Sequence, residues 1–193
     1  MNAITQIITQ QLGGSAARTI AQRFGISETT ANTAIQIGIP LILAALARKA
    51  SQPQEAESLH QAVANDHDGS IFDNLTGYLQ NPQSANGAGI LGHVLGSQQP
   101  AIESNLAQAT GMDQSSAGGL LETLAPLVMG SLGKAQQENG LDASGLSNFL
   151  NVQQQEVQAN APDAMGMLSS MLDQNKDGSS LDDLQRMAAS FFK

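Results

Sequence analysis

Near the C-terminus the chain reads DQNKDGSSLDD, and this run carries the residue types of a hard-metal site. A calcium loop takes side-chain oxygens from its positions 1, 3 and 5, a sharp-turn glycine at 6 and a carbonyl at 7. Asp173, Asn175, Asp177, Gly178 and Ser179 fill those places in order. The second half departs: position 9 is Leu181, and position 12, where a bidentate glutamate belongs, is Leu184. Asp182 or Asp183 substitutes only if the following helix starts early and shortens the loop. Because every ligand is a hard oxygen, the ion expected is calcium, bound on the order of 10⁻⁴ M or weaker. The same letters also spell a turn and a helix start, since Ser180 is followed three residues later by Asp183. DHDGSIFDNL (Asp66 to Leu75) repeats that design with fewer ligands, which makes capping the shared task.

A second candidate is TIAQRFGISETTANTAI, Thr19 to Ile35, whose glycine, apolar residue and cap serine have helix-turn-helix spacing. Arg18 and Arg23 would touch phosphate, and Asn32 and Gln36 would read base edges. The second helix carries Glu28 and no lysine or arginine before Arg48, and it runs into an apolar stretch. Structural use of the turn is the first reading, and DNA binding the alternative. His60, His67 and His93 lack the spacing of a zinc site and read as non-ligands, His93 as a partly packed helix residue. No nucleophile elbow, phosphate loop or Ser-His-Asp arrangement is found, so no catalytic residue and no required cofactor are assigned.

These residues need elements to position them, and an internal repeat supplies the plan. IAQRFGISETTANTAIQIGIPLILAALARKA from Ile20 aligns without gaps on LAQATGMDQSSAGGLLETLAPLVMGSLGKAQ from Leu106. Gly25 meets Gly111, Ser27 meets Asp113, Pro40 meets Pro126 and Arg48 meets Lys134. Each unit reads as helix, glycine turn, capped helix, with a proline that should kink or break the second helix. IPLILAALA is apolar on nearly every face, the pattern of a buried central helix, whereas APLVMGSLG alternates large and small residues and permits close approach. Helical periodicity also marks Ile4–Leu12, Glu55–Ala64, Ile71–Leu79, Ile90–Leu95, Ile102–Ala109, Leu146–Val152, Ala164–Leu172 and Leu181–Phe192. Strand alternation is absent. The predicted fold is all-α: two related helix-turn-helix units with Pro-kinked central helices, plus C-terminal helices. The units are residues 1–82, a turn-rich linker 83–89, residues 90–150, and an extension 151–193.

Charge and composition narrow the function. Residues 1–50 hold Arg18, Arg23, Arg48 and Lys49 against Glu28, a net of +3; the remainder holds 4 basic and 16 acidic groups, −12, giving −9 overall. That balance opposes broad nucleic-acid binding. With no cysteine among 193 residues there is no disulfide, thiol catalysis or cysteine-ligated zinc. No signal peptide is read, and the most apolar stretch, Ile35 to Ala47, is short for a bilayer and contains Gly38 and Pro40. A cytoplasmic, non-enzymatic interaction or scaffold protein is expected, with a protein partner or self-association.

The repeat, DHDGSIFDNL, GILGHVLG and DQNKDGSSLDDL together resemble the YidB-like bacterial family of unknown function (DUF nine-three-seven), with similar features from about Ile4 to Phe192. The resemblance implies a small all-α protein with a homeodomain-like helical arrangement. It implies no established activity.

Overall fold

A computed structural model of the chain describes Ile8 and residues 16–160. Among these residues every regular element is helical and no strand occurs. The elements are α1 (16–24), α2 (Glu28–Ala50), α3 (Pro53–Asp66), α4 (Leu75–Gln80), α5 (Gly87–Leu95), α6 (Gln99–Thr110), α7 (Gln114–Asn139) and α8 (Ala143–Asn160). Short 3-10 turns lie at Ser70–Phe72, Pro82–Ala85 and Gly96–Gln98. The expected helices at 164–172 and 181–192, and that at 4–12 apart from Ile8, lie outside the described residues.

The positions paired by the repeat adopt matching local geometry. Gly25 and Gly111 both take left-handed backbone, at φ 64° and 70°, which a side chain would resist. Behind them Ser27 and Asp113 cap α2 and α7, accepting from the amides of Thr30 and Ser116. Of the kink or break expected at the prolines, the break does not occur: Pro40 and Pro126 each lie inside a single helix. The reason is burial. Residues 38–47 of α2 and 123–133 of α7 are buried throughout, and packing of that extent outweighs the roughly 3 kcal/mol that a helical proline costs.

α2 and α7 pack on each other at the centre, with α8 and α3 also against α2, and α5 and α6 against α7. The crossing places Gly38 against Leu124, whose Cδ1 lies 2.9 Å from where a Cβ on Gly38 would stand. Residue 124 is the repeat partner of residue 38, so the two helices meet at equivalent points. By length and composition α2 is also apolar enough to cross a membrane. Here 72% of its most apolar window is buried inside the protein, as a central core helix requires.

One periodic stretch differs from the sequence reading. The periodic stretch 71–79 is split, because Asn74 leaves helical geometry and its side chain caps α4 on the Gly77 amide. Residues 83–89, drawn as a linker, hold the end of a 3-10 turn and the first turn of α5, while residues 150 and 151 lie together within α8.

Candidate binding cleft

The segment between α3 and α5 is seated on α7 by small residues. Gly130 and Gly133 clear a path on the α7 surface. A Cβ on Gly133 would stand 1.7 Å from the His67 carbonyl oxygen, and one on Gly130 would stand 2.7 Å from Ile71 Cγ2. The close approach anticipated between helices for APLVMGSLG is made, at Gly130 and Gly133, by the 67–72 turn instead. Pro126 contributes a second contact. In an uninterrupted helix the Glu122 carbonyl would accept from residue 126, but proline has no amide to give. Gly87 sits directly over that oxygen, which would be 1.9 Å from a Cβ on Gly87. The next carbonyl, that of Thr123, accepts a buried hydrogen bond of 2.6 Å from Tyr78 Oη. Burial pushes the Tyr78 phenol far above its ordinary range, with Arg23 offsetting part of the rise. The hydroxyl therefore stays a donor.

Seated this way, the segment encloses an open polar cleft of about 690 Å³ over Pro126 and Gly130. Asp66, His67, Asp68, Ser70, Asn74, Tyr78, Asn81, Ser84 and Asn86 line it, with Ile71 and Ile90 as apolar walls. Several of these groups are already held by the backbone. Asp68 Oδ1 accepts from the Ser70 amide at 2.9 Å, so Asp68, rather than Ser70, closes the Asp-Gly turn. Hydrogen bonds from Ser70 hold the Asp68 carboxyl below its usual range. Gly69 at φ 92° makes the turn. His67 is half-buried, and that burial lowers its pKa although Asp66 and Asp68 pull the other way. Its ring is thereby biased toward the neutral form. Asn86 takes φ 50°, the one non-glycine with positive φ among the described residues. Asparagine tolerates that conformation better than most side chains.

A smaller cavity of about 200 Å³ adjoins the cleft and shares His67, Asn86 and Ile90 with it. Leu46, Leu59, Ala62, Val94 and Met129 give it an apolar body. At its rim Lys49 Nζ lies 2.9 Å from Glu55 Oε2, and His93 Nε2 lies 3.8 Å from the same oxygen. The lysine holds the Glu55 carboxyl below its ordinary range through that hydrogen bond and its charge.

The family model described as bacterial protein of unknown function (DUF937) matches residues 6–135 of the chain. The chain belongs to this family. Comparison with curated proteins and with solved structures returned no match. The matched DUF937 region takes in both copies of the glycine-cap-proline pattern and the whole lining of the cleft; the Asp173 loop falls beyond it.

Of the residues singled out in the sequence, Asp173, Asn175, Asp177, Ser179, Asp182 and Asp183 lie outside the described residues. Among those described, no group of three or more His, Asp or Glu is placed to hold a metal. His60 Nε2 instead lies 3.1 Å from the Leu141 carbonyl, tying α3 to the turn before α8. The four residues assigned to DNA lie on α1 and the first turns of α2, and their side chains have partners of their own in two cases. Arg18 Nε donates to Glu28 Oε1 at 2.9 Å, and Asn32 Nδ2 donates to the Glu28 carbonyl at 2.9 Å. Arg23 lies over the Phe24 ring, 5.8 Å from its centroid, and Gln36 is exposed. Sequence reasoning missed Asn81, Ser84 and Asn86 as site residues. Their signal was present as Asn-Pro and Asn-Gly pairs, read only as turn chemistry.

Proposed function

We propose that the chain is a non-enzymatic interaction module whose partner-facing surface is the polar cleft over α7. The observation that carries this reading is the cleft itself. It is large, open and lined by amides, hydroxyls and carboxylates fixed by turns and helix caps. Such groups are placed before a partner arrives, which lowers the ordering cost of binding. Its lining suits recognition through hydrogen bonds, with Asn81 and Asn86 offering both donors and acceptors. Native co-purification tests the reading with three proteins: wild type, Ser84→Trp to fill the cleft, and Arg18→Ala on a distant surface. The expected result is a protein partner, or a second copy of the chain, that is kept by Arg18→Ala and lost by Ser84→Trp. Retention of every partner by Ser84→Trp would overturn it.

The alternative, a DNA-binding regulator, draws support from the glycine turn and cap at Gly25–Ser27 and from the exposed side chains of Thr29, Asn32, Thr33 and Gln36 on α2. Against it stands the pairing of Arg18 with Glu28, which occupies the phosphate anchor. Salt-sensitive binding to mixed duplex DNA that disappears in Arg18→Ala/Arg23→Ala would favour the regulator.

A weak calcium site at Asp173–Asp183 completes the proposal. Calorimetry at millimolar calcium should release heat from wild type and none from Asp173→Ala/Asp177→Ala. Silence in both leaves a turn and a helix cap.

A further inference from the structure

Building on the cleft as the partner-facing surface, we infer that the cleft and the smaller cavity form one site for an extended segment of a partner protein. A large aliphatic side chain of that segment fills the cavity, and a lysine or arginine lies over Asp66 and Asp68. The two depressions share His67, Asn86 and Ile90. All three are half-buried or exposed, so they divide the depressions at the surface and a chain can cross from one to the other. The cavity decides the anchor. Its volume of about 200 Å³ exceeds the roughly 150 Å³ of apolar cavities that accept benzene. Leu46, Val94 and Met129 form a buried floor, with Leu59 and Ala62 half-buried beside it, which suits a leucine, isoleucine or methionine side chain. The rim adds no charge preference, because Lys49 and Glu55 already neutralise each other. The cleft decides the rest. Its lining carries Asp66 and Asp68 and neither lysine nor arginine, and burial biases His67 toward the neutral form. Among the described residues neither carboxylate is in an ion pair, and Lys134, which packs at Gly69, stands outside the lining. A cation on the occupant is therefore attracted and an anion repelled. The Asn81 and Asn86 side chains make no cap hydrogen bond, and each offers donors and an acceptor to a peptide backbone. An open polar cleft of about 690 Å³ suits a passing chain better than a small molecule, whose sites are mostly apolar and enclosing.

Two reporters read the two halves, the Met129 methyl in the cavity and the Asn81 side-chain amide in the cleft. The full chain carries ¹³C-methyl methionine and ¹⁵N, with the signals assigned by Met129→Leu and Asn81→Ser. It is titrated with capped peptides of serine and glycine bearing one leucine and one lysine, pooled over close separations of the two. Control pools replace lysine by glutamate, leucine by serine, or both. Leucine–lysine peptides should shift both reporters along one saturation curve, at a dissociation constant on the order of 1 mM. Glutamate should weaken binding by roughly fivefold, serine for leucine should remove the Met129 response, and the doubly replaced pool should be silent. Asp66→Asn/Asp68→Asn should erase the preference for lysine over glutamate. Ala62→Phe, or Ser58→Trp from the exposed rim, should abolish the Met129 shift while the other methionine signals hold their positions. Either variant should also lose the partner that Arg18→Ala keeps in co-purification. Retention of that partner by both, with loss in Ser84→Trp, would overturn the joint site and leave the cleft reading standing. An Asn81 response without a Met129 response, glutamate peptides that bind as well as lysine peptides, silence from both reporters, or a second copy of the chain as the sole partner would likewise overturn it.

Discussion

α2 and α7 are written on one plan and do different work. Both follow a left-handed glycine, both start at a side-chain cap, and both run through a proline. The difference lies in two places. Ala44 and Ala47 of α2 correspond to Gly130 and Gly133 of α7. At the alanines α2 packs as an ordinary core helix, buried with α7 and α8 around it. At the glycines α7 admits the 67–72 turn to its backbone. The prolines differ as well. The carbonyl that loses its helical donor to Pro40 belongs to Gln36, an exposed residue, whereas the one lost to Pro126 is covered by Gly87. Two methyl groups present on α2 and absent from α7, with a turn packed in their place, separate a plain core helix from the floor of a cleft.

The sharpest way to break this comparison is to restore the missing methyl. Gly133→Ala must displace the His67 carbonyl, and we expect a loss of about 3 kcal/mol or more in urea unfolding. Gly38→Ala on α2 meets only the ends of two side chains, Leu124 Cδ1 at 2.9 Å and Leu121 Cδ2 at 3.3 Å. Helix propensity returns part of that cost, so stability should stay within about 1 kcal/mol of wild type. Equal losses at the two sites would remove the distinction between the helices.

Tyr78→Phe tests the second anchor. It leaves the Thr123 carbonyl without its buried donor and should cost roughly 1–2 kcal/mol, read by thermal melting. A smaller effect is expected at the caps, where the copies differ in chemistry. Asp113 accepts from Ser115 and Ser116, and these bonds hold its carboxyl far below the ordinary range in the folded protein. Its contribution is therefore complete above the unfolded carboxylate pKa and fades as pH falls through the folded value. Ser27 has no proton to gain in that range. Amide exchange at Ser116 should accelerate, relative to Thr30, between pH 5 and strongly acidic conditions, and Asp113→Ser should abolish the difference. The smallest effect belongs to Arg18→Ala. Its ion pair is exposed on both sides, and its removal should move stability by less than about 0.5 kcal/mol.

Much of the fold was legible because its signals are local. Glycine turns, Ser27 and Asp113 caps and the apolar run after Pro40 act within a few residues of themselves. The unbroken helices at Pro40 and Pro126 were not legible, because tertiary burial decides whether a proline interrupts a helix. The cleft was half-written. Small residues in APLVMGSLG announced a close approach, yet nothing in that run names the turn around His67 and Gly69 as the visitor. Asn81 and Asn86 carried turn signals only, and their convergence with Asp66 and Tyr78 depends on where α7 places the segment.

Hydrogen exchange on Gly133→Ala beside Gly38→Ala tests most directly whether the α7 glycines hold the cleft-forming layer. In wild type the Tyr78, Asn81 and Ile90 amides are hydrogen-bonded within that layer and should be protected. The account predicts that Gly133→Ala lowers protection across residues 67–90 while α2 amides keep theirs, and that Gly38→Ala leaves both intact. Protection of residues 67–90 that persists in Gly133→Ala, or falls equally in Gly38→Ala, would contradict it.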